Sequence, residues 1–353
     1  MVDSPLGEVT ALLGVGQVSS QLVRLQCSVR VRKLDDIRMK SGRQTTLRMP
    51  VSVAGIGVHS GQPATLTLLP ADAGSGIVFI RTGLEQGDRE VRACHDAVIA
   101  TDFATVLGDA SGPLVSTTEH VLAALRGMGV DNAVVEVDGP EAPIMDGSAA
   151  PFVEAIDRAG VVELAAARRY LEVLKPVQVT MGQSSGEIRP FAHGFRAELE
   201  ISFDNPLIGR QFYGLDLTPE KFRRDICRAR TFGCMADVAK LWSAGYARGA
   251  SFENSVVVDQ DRILNPEGLR FADEFVRHKV LDAIGDLALA GLPILGLFRS
   301  VRGGHKLNSM LLRALMADRS AWRIAEAPRP QRSRGHVEAV GGLAAPAYGP
   351  DVS

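Results

Sequence analysis

The sequence predicts an α+β protein built from two similar parts, each a β-sheet layered on α-helices. Three observations carry this expectation. Segments alternating with period two gather in clusters, and amphipathic segments of helical period follow them. The order is strands and then helices, not the regular strand–helix alternation of a parallel α/β sheet. After residues 163–169 the pattern restarts, so strands plus two main helices occur twice along 353 residues. The duplication is one of pattern, with no obvious sequence repeat. The expected organisation is 43–165 for the first domain and 166–325 for the second. Residues 1–42 read as a disordered extension or a start assigned too early. Residues 326–353, rich in Pro, Gly and Ala, read as a loose tail.

The elements follow in order. Residues 51–58 and 64–68 alternate as strands, and 76–81 is a third. Gly55, Gly57 and Gly61 do not have GxGxxG spacing, and no helix follows them, so a dinucleotide loop is excluded. A helix is expected from Ser116. Ser116-Thr117-Thr118-Glu119 has capping-box spacing, Val121, Leu122, Leu125 and Met128 form an apolar stripe, and Gly127 and Gly129 end it. A strand at 133–137 and a helix at 150–159 complete the first part. In the second, 171–180 and 195–203 read as strands, and Thr218-Pro219 opens a helix with Thr as cap. Strand 254–259, a long helix over 271–290, strand 294–299 and a last helix over 307–324 follow.

Composition narrows the function. A formal net charge of -2 gives no general attraction for nucleic acid, whose binding normally shows as a basic surface. Cys27, Cys94, Cys227 and Cys234 form no CxxC pair and read as reduced thiols. No apolar run approaches the roughly 20 residues of a membrane span, and no secretory signal opens the chain. The expected location is the cytoplasm. Nothing in the sequence sets an oligomeric state.

Three histidines of the seven stand in unusual company. His278 and Asp282 are four apart on the long helix, so they share a face, and both types ligate zinc. Asp286 is one step further. Alone, such a pair is more often a surface contact. Glu119-His120 begins the other helix, where a third ligand and a base for a bound water would be useful. The plainer reading makes Glu119 a capping-box residue. His305 follows Gly303 and Gly304, which let a backbone approach a ligand closely, although a turn histidine with no role looks the same. There is no HExxH.

Taken together, these segments resemble a known family. Thr117 to His120, Ile144-Met145-Asp146-Gly147-Ser148-Ala149, Arg228 to Gly233, Phe275 to Asp286 and Gly304-His305 are similar to the signature segments of UDP-3-O-acyl-N-acetylglucosamine deacetylases, which perform the committed step of lipid A synthesis. The likeness runs from about Arg43 to about Trp322 in order.

The resemblance implies two similar α+β domains with the active site between them. It implies Zn2+ held by His120, His278 and Asp282, with Glu119 as general base. His305 would be the cationic partner that stabilises the oxyanion and protonates the leaving amine, and Asp286 would orient it. Thr231 would donate to the oxyanion, and Lys279 would add positive charge. The substrate would be UDP-3-O-acyl-N-acetylglucosamine. Its acyl chain needs an apolar slot, which the family forms from an insert matching 234–258. Met235, Val238, Ala247, Ala250, Ser251, Ser255 and Val257 are its expected lining, though each could equally be local core. Phe232 joins the substrate-binding residues, Phe203 is expected on the uracil and Arg302 on the diphosphate. His59 matches a family segment near the site without an assigned role. A zinc amidase acting on another N-acetylated sugar is the alternative. A nucleic-acid module conflicts with the charge, a small-molecule kinase lacks its phosphate loop, and a dead scaffold would have lost one of the five central residues.

Overall fold

The computed structural model describes residues 42–327. The expectations for residues 1–41 and 328–353 lie outside the described residues.

The first part runs β1 (Arg43–Leu47), β2 (Val51–Ile56), β3 (Pro63–Pro70), β4 (Ile77–Arg81), β5 (Arg89–Arg92), β6 (Val98–Ala100), β7 (Val106–Asp109) and β8 (Gly112–Val115). Helix α1 (Glu119–Gly127), β9 (Ala133–Val137), α2 (Ala150–Ala159) and β10 (Val161–Ala167) follow. Its main sheet has the order β2-β3-β9-β4-β5. Alternation in β3 turns Ala64, Leu66 and Leu68 inward. Leu122 and Leu125 of α1 and Phe152 and Ile156 of α2 belong to the same core. Apolar side chains removed from water on both layers are what hold a sheet to its helices.

The second part runs β11 (Arg169–Val173), β12 (Val177–Met181), β13 (Ser184–Arg189), β14 (Phe195–Ser202), β15 (Arg210–Asp216) and a short α3 (Pro219–Lys221). After α3 comes one π-helical turn, Phe222–Ile226. Then come β16 (Phe232–Cys234), α4 (Val238–Ser243), β17 (Val256–Asp259), β18 (Arg262–Ile263), α5 (Glu274–Ala288), β19 (Ile294–Val301), α6 (His305–Ala317) and β20 (Trp322–Glu326). The seven-stranded sheet centres on β19, which pairs with β11, β13 and β14. The protein is thus α+β, with each main sheet layered on helices. The segment read as a boundary holds β10, which pairs antiparallel with β1.

Four expectations change. Residues 171–180 form two strands, because Pro176 lies between β11 and β12 and has no N–H to continue a ladder. The long helix is shorter at both ends, 274–288. The last helix stops at Ala317. Asp318 then caps a turn by accepting from the N–H and hydroxyl of Ser320, and residues 322–326 pair antiparallel with β11. Ser116 caps nothing: α1 starts after Thr118, and the Ser116 hydroxyl faces the Pro140 carbonyl at 3.4 Å. The Thr218 cap forms as expected, accepting from the Lys221 N–H at 3.2 Å.

Candidate metal centre and active site

Helices α1 and α5 build the centre because they approach very closely. A Cβ at Gly285 would lie 2.0 Å from the Glu119 carbonyl oxygen, so only glycine lets the backbones come this near. The contact brings the start of α1 against the last turn of α5. His120, His278 and Asp282 are all buried, and one donor atom of each lies within 4.8 Å of the others. Asp282 Oδ1 is 3.6 Å from His120 Nε2 and 3.3 Å from His278 Nε2. That oxygen has no hydrogen-bond partner although it is shut from solvent.

Two details prepare these atoms as ligands. His278 Nδ1 lies 3.0 Å from the Ala229 carbonyl. A carbonyl only accepts, so Nδ1 carries the proton and Nε2 presents its lone pair. Burial, partly opposed by Asp282, lowers the His278 pKa to about 4, keeping the ring neutral. Burial resists charge on Asp282, but His278 and Lys279 outweigh it and hold the carboxyl well below its usual range. Lys279 Nζ donates to Asp282 Oδ2 at 2.9 Å. Burial works against the Lys279 charge, and Asp282 reverses that, raising its pKa. Two buried imidazoles, that of His278 held neutral, and one ionised carboxylate with an orphaned oxygen are a donor set that fits a divalent metal.

Beside this cluster stands an acid–base couple. Glu119 Oε2 accepts the Thr105 N–H at 3.0 Å, so its carboxylate does not cap its own helix. Burial raises its pKa against the pull of His305 and His120. Glu119 Oε1 is 3.9 Å from His305 Nε2. His305 Nδ1 donates to Asp286 Oδ2 at 2.9 Å, and Asp286 also accepts from Thr105 Oγ1 at 2.6 Å and Asn308 Nδ2 at 2.8 Å. Burial opposes the His305 charge, but Asp286 and Glu119 prevail and raise its pKa to about 9. Of the two glycines before it, Gly303 is the one that needs room, since a Cβ there would lie 2.1 Å from Ser300 Oγ.

The Thr231 loop closes one side. Its N–H donates to the Gly147 carbonyl and its own carbonyl accepts from Val256 N–H, each at 2.8 Å. The preceding Arg230 is buried and clamped to Glu274 at the start of α5, with Nε to Oε1 at 2.9 Å. Phe232 reaches the ligands: its ring stands edge-on to Phe203 at 5.7 Å and to His278 at 6.2 Å, and Lys279 Nζ is 5.9 Å from its centre.

The insert holds α4 between β16 and β17. Met235 is exposed, and Val238 and Ser251 are half-buried. Ala247 has φ +54, and its N–H points to His59 Nδ1 at 3.3 Å. Gly249 N–H also bonds the Val58 carbonyl, so the insert rests on the loop after β2. The Arg302 guanidinium is taken up by Ser202 Oγ at 3.0 Å and by Gln183, while its backbone bonds Glu200. Sequence reasoning passed over Thr105, the Ala229 carbonyl, Arg230 and Asn308. Only the run Arg228–Gly233 carried any signal for this group.

The family model described as UDP-3-O-acyl N-acetylglycosamine deacetylase matches residues 44–317. Curated proteins of Brucella ovis, Brucella canis and Brucella melitensis, each named UDP-3-O-acyl-N-acetylglucosamine deacetylase, are 51% identical to the chain over 285 residues. The match covers 80% of this chain and 99% of each relative. A family match across both sheets, and relatives aligned along nearly their whole length, give one conclusion: the chain belongs to the UDP-3-O-acyl-N-acetylglucosamine deacetylase family.

Proposed function

We propose that this protein hydrolyses the N-acetyl amide of UDP-3-O-acyl-N-acetylglucosamine in lipid A synthesis, with one Zn2+ held by His120, His278 and Asp282. The observation that carries the metal assignment is the orphaned Asp282 Oδ1 between two imidazole nitrogens, beside the Glu119–His305 couple. Bound there, zinc would acidify water toward a pKa of about 7 and polarise the amide carbonyl.

The chain's own residues supply the rest. Glu119 accepts the proton of the attacking water, a role suited to a carboxylate whose pKa burial has raised. Water oxygen bonds to the acetyl carbon, the C–N bond breaks, and acetate leaves with the amine taking a proton. His305 delivers that proton and faces the developing charge, kept cationic by Asp286. The Thr231 hydroxyl donates to the oxyanion. Losing such a donor typically costs roughly 3–4 kcal/mol of barrier. Lys279 adds positive charge near the reacting carbonyl. Phe203, Phe232 and Arg302 face the nucleotide end. Met235, Val238, Ala247 and Ser251 line the acyl slot, where each buried methylene contributes about 0.8 kcal/mol. A nucleotide-sugar substrate supports a cytoplasmic location. Among the described residues no helix is long and apolar enough to cross a membrane.

The test combines elemental analysis with acetate release. Wild-type protein is expected to hold one zinc per chain and to prefer the acylated sugar strongly. His120→Ala and His278→Ala are expected to lose metal. Wild-type occupancy in both variants would refute the ligand assignment. Equal efficiency on acylated and unacylated sugars would leave only an amidase for another N-acetylated sugar.

A further inference from the structure

Two residues before the Glu119–His120 pair the backbone is strained. Thr117 has φ +56, in the left-handed region, where a β-branched side chain is penalised by steric contact. It is also buried, and its Oγ1 donates to Glu141 Oε1 at 2.7 Å. Glu141 is 1% exposed. Among the described residues no arginine or lysine bonds its carboxylate. Its donors are the Thr117 hydroxyl and the backbone N–H groups of His59 at 3.0 Å and Ser60 at 2.7 Å.

The same carboxylate thus holds two loops. One turns into α1 and delivers Glu119 and His120. The other follows β2 and carries His59, whose Nδ1 accepts the Ala247 N–H and whose carbonyl accepts the Arg248 N–H at 3.2 Å. Gly57 belongs to the arrangement too, since a Cβ there would lie 2.2 Å from Glu141 Oε2. The Glu141 side chain is not needed to pair the segments it comes from. Ser116 N–H to the Pro140 carbonyl at 3.1 Å, and Ala142 N–H to the Ser116 carbonyl at 3.0 Å, already do so through the backbone. A buried carboxylate with three donors from the two sides of one site has a task beyond strand pairing.

We infer that Glu141 is a positioning residue: by holding Thr117 in its strained turn and the His59 loop on one carboxylate, it fixes Glu119 and His120 relative to the insert wall. The inference rests on the metal-dependent amidase reading above. The hydroxyl of Thr117 is the link to the metal side, and the two backbone donors are the link to the substrate side. The two links are separable by substitution.

The experiment compares Thr117→Val, Thr117→Ser and Glu141→Gln with the wild type. Zinc affinity is read by competition with a chromophoric chelator, and kcat and KM on the acylated sugar. Loss of an outer hydrogen-bond partner typically weakens metal affinity or activity by about 10–100-fold. Thr117→Val and Glu141→Gln are expected to lose that much in zinc affinity and kcat, while Thr117→Ser, which keeps the hydroxyl, stays near the wild type. Glu141→Gln is expected to raise KM as well, because it loosens the His59 loop, whereas Thr117→Val leaves KM unchanged. Zinc affinity and kcat in Thr117→Val equal to those of Thr117→Ser would overturn the inference, whatever happens to Tm. Should Glu141→Gln not fold, the Val and Ser pair decides alone. A wild type that neither binds zinc nor releases acetate would instead overturn the functional reading, and the inference with it.

Discussion

His305 and Glu119 face each other at 3.9 Å with pKa values moved in the same direction for different reasons. Burial raises Glu119, while Asp286 and Glu119 overcome burial to raise His305 to about 9. The proposed reaction needs Glu119 ionised and His305 protonated. As pH rises through the Glu119 pKa, which burial raises from its ordinary value, activity is gained. As pH rises further through about 9, His305 loses its proton and activity falls. The profile of kcat/KM is therefore expected to be bell-shaped. Glu119→Ala should remove the acid limb and His305→Ala the alkaline limb, both with zinc retained. Loss of zinc from Glu119→Ala would make that residue a ligand and end its assignment as base. At this scale the sequence was only partly legible. His278, Asp282 and Asp286 stood out because one-turn spacing puts them on one face. Thr105 did not, because it acts from a loop through a backbone N–H and a hydroxyl that no periodicity marks. The Ala229 carbonyl is backbone, and no residue type announces it.

Among the elements, α5 carries the most. A glycine within a long helix is unfavourable by itself, and here Gly285, in the last turn of α5, answers to the Glu119 carbonyl. Gly285→Ala improves helix propensity yet forces α1 and α5 apart. Overpacking of this kind costs about 1–3 kcal/mol, so a fall in Tm and weaker zinc binding are expected together. A higher Tm with unchanged zinc affinity would show that the helices relax without harm to the site. The helical glycine was visible in the sequence, but its partner was not, since the contact spans distant segments. Residues 307–324 were misread for a related reason. Apolar positions at Trp322 and Ile324 extend the helical stripe of α6 on paper, while the Asp318–Ser320 turn and pairing with β11 make them a strand. Tertiary pairing overrode local pattern there.

At the scale of the molecule, the proposed metal ligands come from both parts of the chain, His120 from the first and His278 and Asp282 from the second. An ion shared between them would bind the folded state and not the unfolded one. Such linkage is worth about 4 kcal/mol when free metal exceeds its Kd a thousandfold. Removing zinc with a chelator should therefore lower Tm, and adding it back should restore the difference. His120→Ala protein should show no such response. An unchanged Tm on chelation of the wild type would mean that the ion does not join the two parts. The division into two sheet-and-helix layers was legible because period-two and helical segments recur in the same order. The strand β10 at the junction was not, because its pairing with β1 reaches across the whole first part.

His278, Asp282 and Asp286 stand one turn apart on a single helix. At 1.5 Å of rise per residue, the two acids are separated along the axis by about 6 Å. One rod thus carries the metal end and the proton-donor end of the proposed reaction, and that spacing cannot drift as the sheets fluctuate. What fluctuation leaves open is the slide of α1 along α5, which moves Glu119 and His120 together against that scale. Gly285 touches Glu119 where such a slide would begin. Such a slide is one mechanical coordinate of the site, and the close backbone contact at Gly285 is a stop on it.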